Sequence, residues 1–187
     1  MTAADERARG ALLAYFSQNG LLLCNESVEL PYLGLVGGSW NAIVSLLESG
    51  DAFYSRFYKG RVTYLSPELY FALKPHRRRA ERLDECSARL LAFLRAAGEA
   101  GAEEMQAACL LEKKAQAKAL DRLVGELLVT VTRRDATICE NWCTFCYGPA
   151  ERWEDKRPRG GFDCGLDAAE RILRRQMPQK QVQTLLK

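Results

Sequence analysis

An α+β fold that is mainly helical is predicted, and its most recognisable part is a winged helix-turn-helix. Residues 103–110 and 112–128 show the apolar periodicity of two consecutive helices. Two β-prone runs, 129–133 and 138–147, follow directly, and the polar residues 134–137 between them predict the tip of a hairpin. The order helix, turn, helix, hairpin is typical of a winged helix-turn-helix domain.

A further helix is predicted immediately before this stretch. In residues 83–97, apolar side chains recur at a spacing that places them on one face of a helix. These residues are Leu83, Cys86, Leu90, Phe93, Leu94 and Ala97. Gly98 and Gly101 are placed to end this helix, which would be the first helix of the winged-helix domain.

The chain is predicted to have three parts. Residues 1–75 form an N-terminal α+β part, which one interpretation makes winged-helix-like as well. Residues 76–153 form the winged-helix domain, and residues 154–187 form a C-terminal loop and helix that ends in a polar tail at 178–187. A chain of 187 residues is long enough for one or two domains with a sizeable core.

The N-terminal part carries its own helix and strand signals. Residues 21–24 are an apolar run that predicts a buried strand. Ser39 is placed to cap a helix that Gly50 ends. Ser66 is placed to cap a second helix, which we expect to end before Pro75.

The predicted helix at residues 112–128 has the polarity of a DNA-contacting helix. Its leucines fall on one side, and Lys114, Lys118 and Arg122 fall on the other, together with Asp121. Lysine and arginine reach phosphates, and arginine can also contact guanine edges. The sequence therefore predicts double-stranded DNA as a partner, with a solvated charged face as the other interpretation.

Further cations flank this helix in the sequence. Arg133 and Arg134 lie at the predicted hairpin tip, where a wing touches the DNA backbone or minor groove, and Arg77 and Arg78 lie at the start of the domain. Residues 74–134 hold 13 Lys and Arg against 9 Asp and Glu, a local excess of +4 in a chain of net charge +3. This excess is compatible with nucleic-acid binding but does not require it.

The overall composition predicts a cytosolic protein. The sequence is 48% hydrophobic and 27% charged, and no apolar run approaches the roughly 18–20 residues that a membrane-spanning helix needs. The first residues contain acids and no apolar core, so no signal peptide is predicted. Seven cysteines are an odd number, and we expect them to be reduced thiols in this compartment.

The sequence Cys139-x3-Cys143-x2-Cys146 resembles the iron–sulfur motif of radical-SAM enzymes. In that family the motif lies early in a large α/β barrel, whereas 41 residues follow Cys146 here. On a strand, Cys139 and Cys143 would point to one face and Cys146 to the other. Structural zinc, with Cys164 as fourth ligand, is another hypothesis. We favour reduced cysteines in and around a hairpin strand, and we expect no cofactor.

Four segments resemble the winged-helix proteins related to the AlkZ-type DNA glycosylases, which unhook alkylated and crosslinked bases. These segments are residues 57–61, 65–74, 119–129 and 147–153. The resemblance implies tandem winged helices, a concave basic DNA-binding surface and an association with DNA repair. The catalytic feature of the family is a Gln-apolar-Gln motif in the N-terminal part, and the matching string here, Gln181-Val182-Gln183, lies near the C-terminus.

The sequence thus predicts a winged-helix DNA-binding protein, more readily than an enzyme. Three alternatives stay open at this point. The first is a DNA glycosylase that acts on alkylated or crosslinked bases, the second is a cysteine-ligated zinc or iron–sulfur protein, and the third is a winged helix that mediates protein–protein contact. One histidine, His76, gives no support to a Ser-His-Asp or Cys-His arrangement.

Overall fold

The computed structural model describes residues 2–77, 83–139, 142–157 and 160–186, and it describes Arg77 by its backbone alone. Within these ranges the fold is α+β and mainly helical, as predicted, with small antiparallel sheets. The elements in chain order are α1 (Ala3–Gln18), β1 (Leu21–Leu23), α2 (Trp40–Ser49), β2 (Phe53–Ser55), β3 (Thr63–Leu65), α3 (Pro67–Arg77), α4 (Glu85–Ala97), α5 (Ala102–Cys109), α6 (Lys113–Gly125), β4 (Val129–Cys139), β5 (Trp142–Pro149), α7 (Ala150–Lys156), α8 (Leu166–Leu173) and α9 (Gln179–Leu186).

The N-terminal half contains a small three-stranded sheet in the order β1-β3-β2, and every residue of these strands is buried. The predicted local signals are confirmed. The Ser39 side chain accepts a hydrogen bond from the backbone N–H of Ala42, and Gly50 ends α2 with φ +80°. The Ser66 hydroxyl likewise accepts a hydrogen bond from the backbone N–H of Leu69 at the start of α3.

In the N-terminal half, residues 2–77, the order is a helix (α1), a strand (β1), a helix (α2) and a hairpin (β2–β3). The C-terminal half, residues 83–149, has a similar order of elements. Helix α4 is followed by Ala100, which pairs antiparallel with Tyr147 of β5, then by α5 and α6, and then by the hairpin β4–β5. In both halves the first extended segment therefore pairs with the last strand, and the last strand pairs with the one before it. The predicted order of two helices followed by a hairpin at residues 103–147 is present in this half.

The two halves are joined through two clusters of buried hydrophobic residues. The first cluster takes side chains from α1 and α2 and also from α4, α6 and β4. At the junction the Thr130 hydroxyl accepts a hydrogen bond from the Tyr54 N–H and donates one to the Tyr54 carbonyl, both at 3.0 Å. The predicted boundary at residues 75–76 falls inside α3.

The C-terminal segment packs on the N-terminal half. Helix α8 lies against α3, and the side-chain oxygen of Gln176 accepts hydrogen bonds from Gly20 N–H at 3.0 Å and Leu21 N–H at 2.9 Å. The amide nitrogen of Gln176 donates to the Leu21 carbonyl at 2.6 Å. One side chain thus pairs with the outer backbone groups of Gly20 and Leu21, while the backbone of residues 31–33 pairs with Leu23 at the other end of β1.

Three predictions about element ends are wrong. Residues 134–137 lie inside β4 and not at a hairpin tip, because β4 runs on to residue 139 through several register shifts against β5. Helix α3 continues to Arg77, past Pro75, whose fixed φ is close to the helical value although its nitrogen donates no hydrogen bond. The predicted polar tail is instead helix α9. Its apolar face consists of the buried Val182 and the partly buried Leu185 and Leu186, which follow it by three and four residues.

Substitution Thr130→Val should destabilise the fold by about 2–3 kcal/mol, because it preserves the shape of the side chain and leaves two buried backbone groups of Tyr54 without a partner. Urea denaturation followed by circular dichroism measures this change. Thr137→Val, on an exposed position of the same strand, is the control and should change stability by less than about 0.5 kcal/mol. Equal effects of the two substitutions would contradict the role of the Thr130 hydroxyl.

Candidate nucleic-acid interface

Helix α6 presents one buried face and one charged face. The buried face packs against α4 and β4 and consists of Gln116, Ala119, Leu123 and Val124. Lys114 and Lys118 lie on the opposite face and are exposed, as their helical spacing predicts. Neither lysine forms an ion pair with a residue that the structure describes. Both ammonium groups are therefore available to an anionic partner.

Arg122 shares this exposed face, but an acid lies next to it. Its guanidinium forms an ion pair with Asp84 at 2.7 Å. Asp84 is the N-cap of α4, where hydrogen bonds from the backbone and side chain of Ser87, and then the charge of Arg122, lower the pKa of Asp84 to about 2. Asp84 is therefore ionised at neutral pH and partly neutralises the cationic face of α6.

Arg133 and Arg134 do not lie at the hairpin tip, which corrects their predicted placement. They lie in the middle of β4, opposite Cys146 and Phe145 of β5. The Arg133 guanidinium forms an ion pair with Glu99 at 2.7 Å. The backbone N–H of Arg134 donates to Glu48 of α2 at 3.0 Å, and its guanidinium donates to Asn41 at 3.3 Å.

These contacts place Arg134 at the junction of the two halves, where its backbone and side chain both contact α2. Arg133 tethers β4 to the segment after α4. Both arginines thus hold the hairpin in position within the protein. Two further cations were predicted at the start of the domain. Arg77 is the last residue of α3, and the structure describes only its backbone. Arg78 lies outside the described residues.

An additional cation, Arg56, borders α6, and the sequence did not single it out. Its Nε lies 3.0 Å from Asp121 of α6, and its Nη1 donates to the Gly60 carbonyl at 3.2 Å. The loop between β2 and β3 is therefore fixed beside α6. No local signal could have predicted this pair, because the two residues are far apart in the chain and belong to different halves.

A cleft of about 770 Å³ lies between α5, α6 and the β4–β5 hairpin. Its polar lining includes the carboxyl groups of Glu103, Glu104 and Asp135, with the cations Lys113 and Arg133. Since Arg133 is paired with Glu99, the cleft carries more negative than positive charge. The flank of α6 that faces the hairpin is therefore less suited to phosphates than the face of Lys114 and Lys118.

The cysteine cluster is divided between different environments. Cys143 and Cys146 are buried, and burial raises the pKa of both thiols. Cys143 lies near Trp40 and Glu48 of α2, whereas Cys146 faces Glu99, Arg133 and Asp135. Cys139 and Cys164 are exposed.

A metal site is not formed by these cysteines in the described part of the chain. No group of three or more His, Cys, Asp and Glu side chains within those residues is arranged to hold a metal ion. Cys143 and Cys146 lie in different surroundings, as expected for two positions three apart on a strand. The expectation that Cys139 shares a strand face with Cys143 is wrong, because Cys139 ends β4 and is exposed whereas Cys143 lies in β5 and is buried. The hypothesis of a cysteine-ligated cluster therefore gains no support from the arrangement of these residues.

The Gln-apolar-Gln string lies on α9. Gln181 donates to the Tyr58 hydroxyl at 2.7 Å, and that hydroxyl donates to Glu29 at 2.6 Å. Val182 is buried, and Gln183 is exposed. The string therefore anchors α9 to the N-terminal half.

Comparisons of the chain with protein-family models, with curated proteins and with solved structures find no match. The resemblance to AlkZ-related proteins accordingly stays a prediction. Among the described helices, none combines the length and the apolar composition that a membrane crossing requires.

Thiol labelling of the folded protein should separate the cysteines by environment. Ellman's reagent at neutral pH should modify Cys139 and Cys164 first, because they are exposed, while Cys143 and Cys146 react only after unfolding. Mass spectrometry of peptides identifies the modified sites, and the same reaction in urea should reach all seven cysteines. Fast labelling of Cys146 in the folded protein would contradict its burial.

Proposed function

We propose that this protein binds double-stranded DNA through α6, and that its two halves are tandem winged-helix domains. The observation that carries the proposal is the exposed pair Lys114 and Lys118 on the helix that precedes the hairpin. In winged helix-turn-helix domains this helix contacts DNA. Lysines one helical turn apart can each approach a phosphate, and they would supply most of the affinity.

The order of elements supports the winged-helix assignment. Each half has a helix, a short extended segment, a helical region and a two-stranded hairpin, and the first segment pairs with the last strand. Helix α2 precedes the hairpin in the N-terminal half, as α6 does in the C-terminal half. Only α6 presents an open cationic face, since α2 packs against β4.

The charges around α6 favour contacts to the DNA backbone over base recognition. Arg122 faces Asp84, and Asp121 is paired with Arg56, so the two lysines are the main source of positive potential on this face. The acidic cleft on the other flank disfavours phosphate there. DNA would therefore approach from the solvent side of α6, away from the hairpin cleft.

An association with DNA repair is a second part of the proposal and rests on the sequence resemblance alone. A base-release activity is not included. The Gln-apolar-Gln string is on α9, where Gln181 bonds the Tyr58 hydroxyl and Val182 is buried. DNA binding without catalysis accounts for the resemblance and for this placement.

Protein–protein contact is a second candidate function, favoured by the end of the hairpin. Ile138 is 56% exposed and Trp142 is 61% exposed, and both lie near the end of β4–β5. Exposed aromatic and aliphatic side chains are typical of protein interfaces. The two functions differ in their dependence on salt, because phosphate contacts weaken steeply with ionic strength and apolar contacts do not.

Reversal of both lysine charges, Lys114→Glu with Lys118→Glu, should lower the affinity for duplex DNA at least about tenfold at low salt. The slope of log K against log salt should fall by about 2, since two phosphate contacts are lost. Fluorescence anisotropy over a salt series measures both quantities.

Lys156→Glu with Lys180→Glu, at two exposed lysines on α7 and α9, makes the same change in net charge and is the matched control, which should change neither quantity. An unchanged salt slope in the α6 double variant would refute DNA binding through α6. A wild-type protein without measurable affinity for duplex DNA would refute the proposed function as a whole.

Removal of the acid beside Arg122 should strengthen DNA binding. Asp84→Asn keeps an efficient helix cap and removes one negative charge, so we expect a roughly twofold to fourfold gain in affinity at low salt that disappears at high salt. Asp155→Asn, on an exposed position of α7, removes the same charge elsewhere and is the control. A loss of affinity in Asp84→Asn would contradict the placement of DNA near Arg122.

A further inference from the structure

Leu110, in the turn between α5 and α6, has an unfavourable conformation for its residue type. Its backbone is left-handed, with φ +50° and ψ +44°, a region that glycine and asparagine adopt more readily than leucine. Its side chain is 86% exposed. The neighbouring Leu111 is 8% exposed and packs in the core. Neither the turn nor the core therefore requires a leucine at position 110.

Cations surround this exposed leucine. The Arg89 guanidinium donates to the Cys109 carbonyl at 3.2 Å, so it lies beside Leu110 on the α4 side. Lys114, in the first turn of α6, is exposed, whereas Lys113 lines the acidic cleft. Glu85 offsets part of the Arg89 charge, and the exposed Glu112 lies between Leu110 and α6. The apolar group thus has Arg89 and Lys114 as neighbouring cations, at the N-terminal end of the proposed DNA-contacting helix.

A DNA major groove offers a matching partner. Phosphates line its edges, and the C5 methyl of thymine is the apolar group that base pairs present in it. In helix-turn-helix proteins, residues at the N-terminal end of the contacting helix lie closest to base edges. Leu110 precedes the first residue of α6 by three positions, and its side chain points to solvent.

We propose that Leu110 contacts a thymine methyl group in the major groove and gives the protein a preference for A·T pairs at that position. This inference rests on the proposed binding of duplex DNA by α6. The flanking cations hold the adjacent phosphates, and the leucine supplies the contact with the base. The strained turn is retained because its side chain serves the partner and not the fold.

Duplexes that differ only in the thymine methyl test the inference. A duplex of mixed A·T sequence is compared with the same duplex containing deoxyuridine in place of thymidine. The wild-type protein should bind the thymine duplex about threefold to fivefold tighter, as burial of one methyl group predicts. Leu110→Ala should bind both duplexes equally. Leu35→Ala, at another exposed leucine, is the control and should keep the wild-type preference.

Leu110→Gly separates binding from folding. Glycine relieves the left-handed backbone, so this variant should melt at a higher temperature than the wild type and should still lose the thymine preference. Lost preference in a more stable protein excludes misfolding as the cause. Circular dichroism melting and anisotropy titrations measure the two quantities on the same samples.

Two results would contradict the thymine contact without contradicting the proposed DNA binding through α6. One is equal affinity of the wild-type protein for the two duplexes. The other is a loss in Leu110→Ala that is the same for both duplexes, which would place the leucine against the sugar–phosphate backbone. Absence of wild-type binding to either duplex would instead refute the proposed function, and the thymine contact with it.

Discussion

The three-residue strands of the N-terminal sheet depend on two side chains from distant parts of the chain. An outer strand exposes backbone N–H and C=O groups, and buried groups of this kind need a partner. Thr130 provides that partner for Tyr54 on the outer side of β2, and Gln176 provides it for Leu21 on the outer side of β1. The outer backbone groups of this short sheet are thus paired on both sides, and the backbone of residues 31–33 pairs with Leu23 in addition. The second half and the C-terminal segment each contribute one of the two side chains.

The same junction determines which surfaces remain open. For Thr130 to reach β2, the β4–β5 hairpin must lie along the N-terminal half, where Arg134 contacts Glu48 and Asn41 and the Phe145 ring lies 5.9 Å from that of Trp40. Helix α2 is covered in consequence. Helix α6 stays uncovered on the face of Lys114 and Lys118, so two halves with the same order of elements differ in what they can offer a partner.

Local signals predicted the elements well, and contacts between distant residues explain what they missed. Caps at Ser39 and Ser66, and the apolar spacing in α4 and α6, are properties of neighbouring residues, so the sequence shows them directly. The roles of Arg133 and Arg134 depend on acids up to 86 positions away, and charge alone could not distinguish a DNA contact from an internal one. The polar run at 134–137 also resembles a turn, although cross-strand hydrogen bonds, such as the one that the Ala136 N–H donates to the Thr144 hydroxyl, keep it extended.

Gln176 has a consequence for the order in which the chain can fold. The three strands of the N-terminal sheet end at residue 65, but the side chain that pairs with the backbone of Gly20 and Leu21 comes from position 176. Folding on the ribosome cannot finish this sheet until residue 176 has emerged. Until then the outer backbone groups of Gly20 and Leu21 lack this partner, and a nascent chain would be the form more exposed to pairing with another chain.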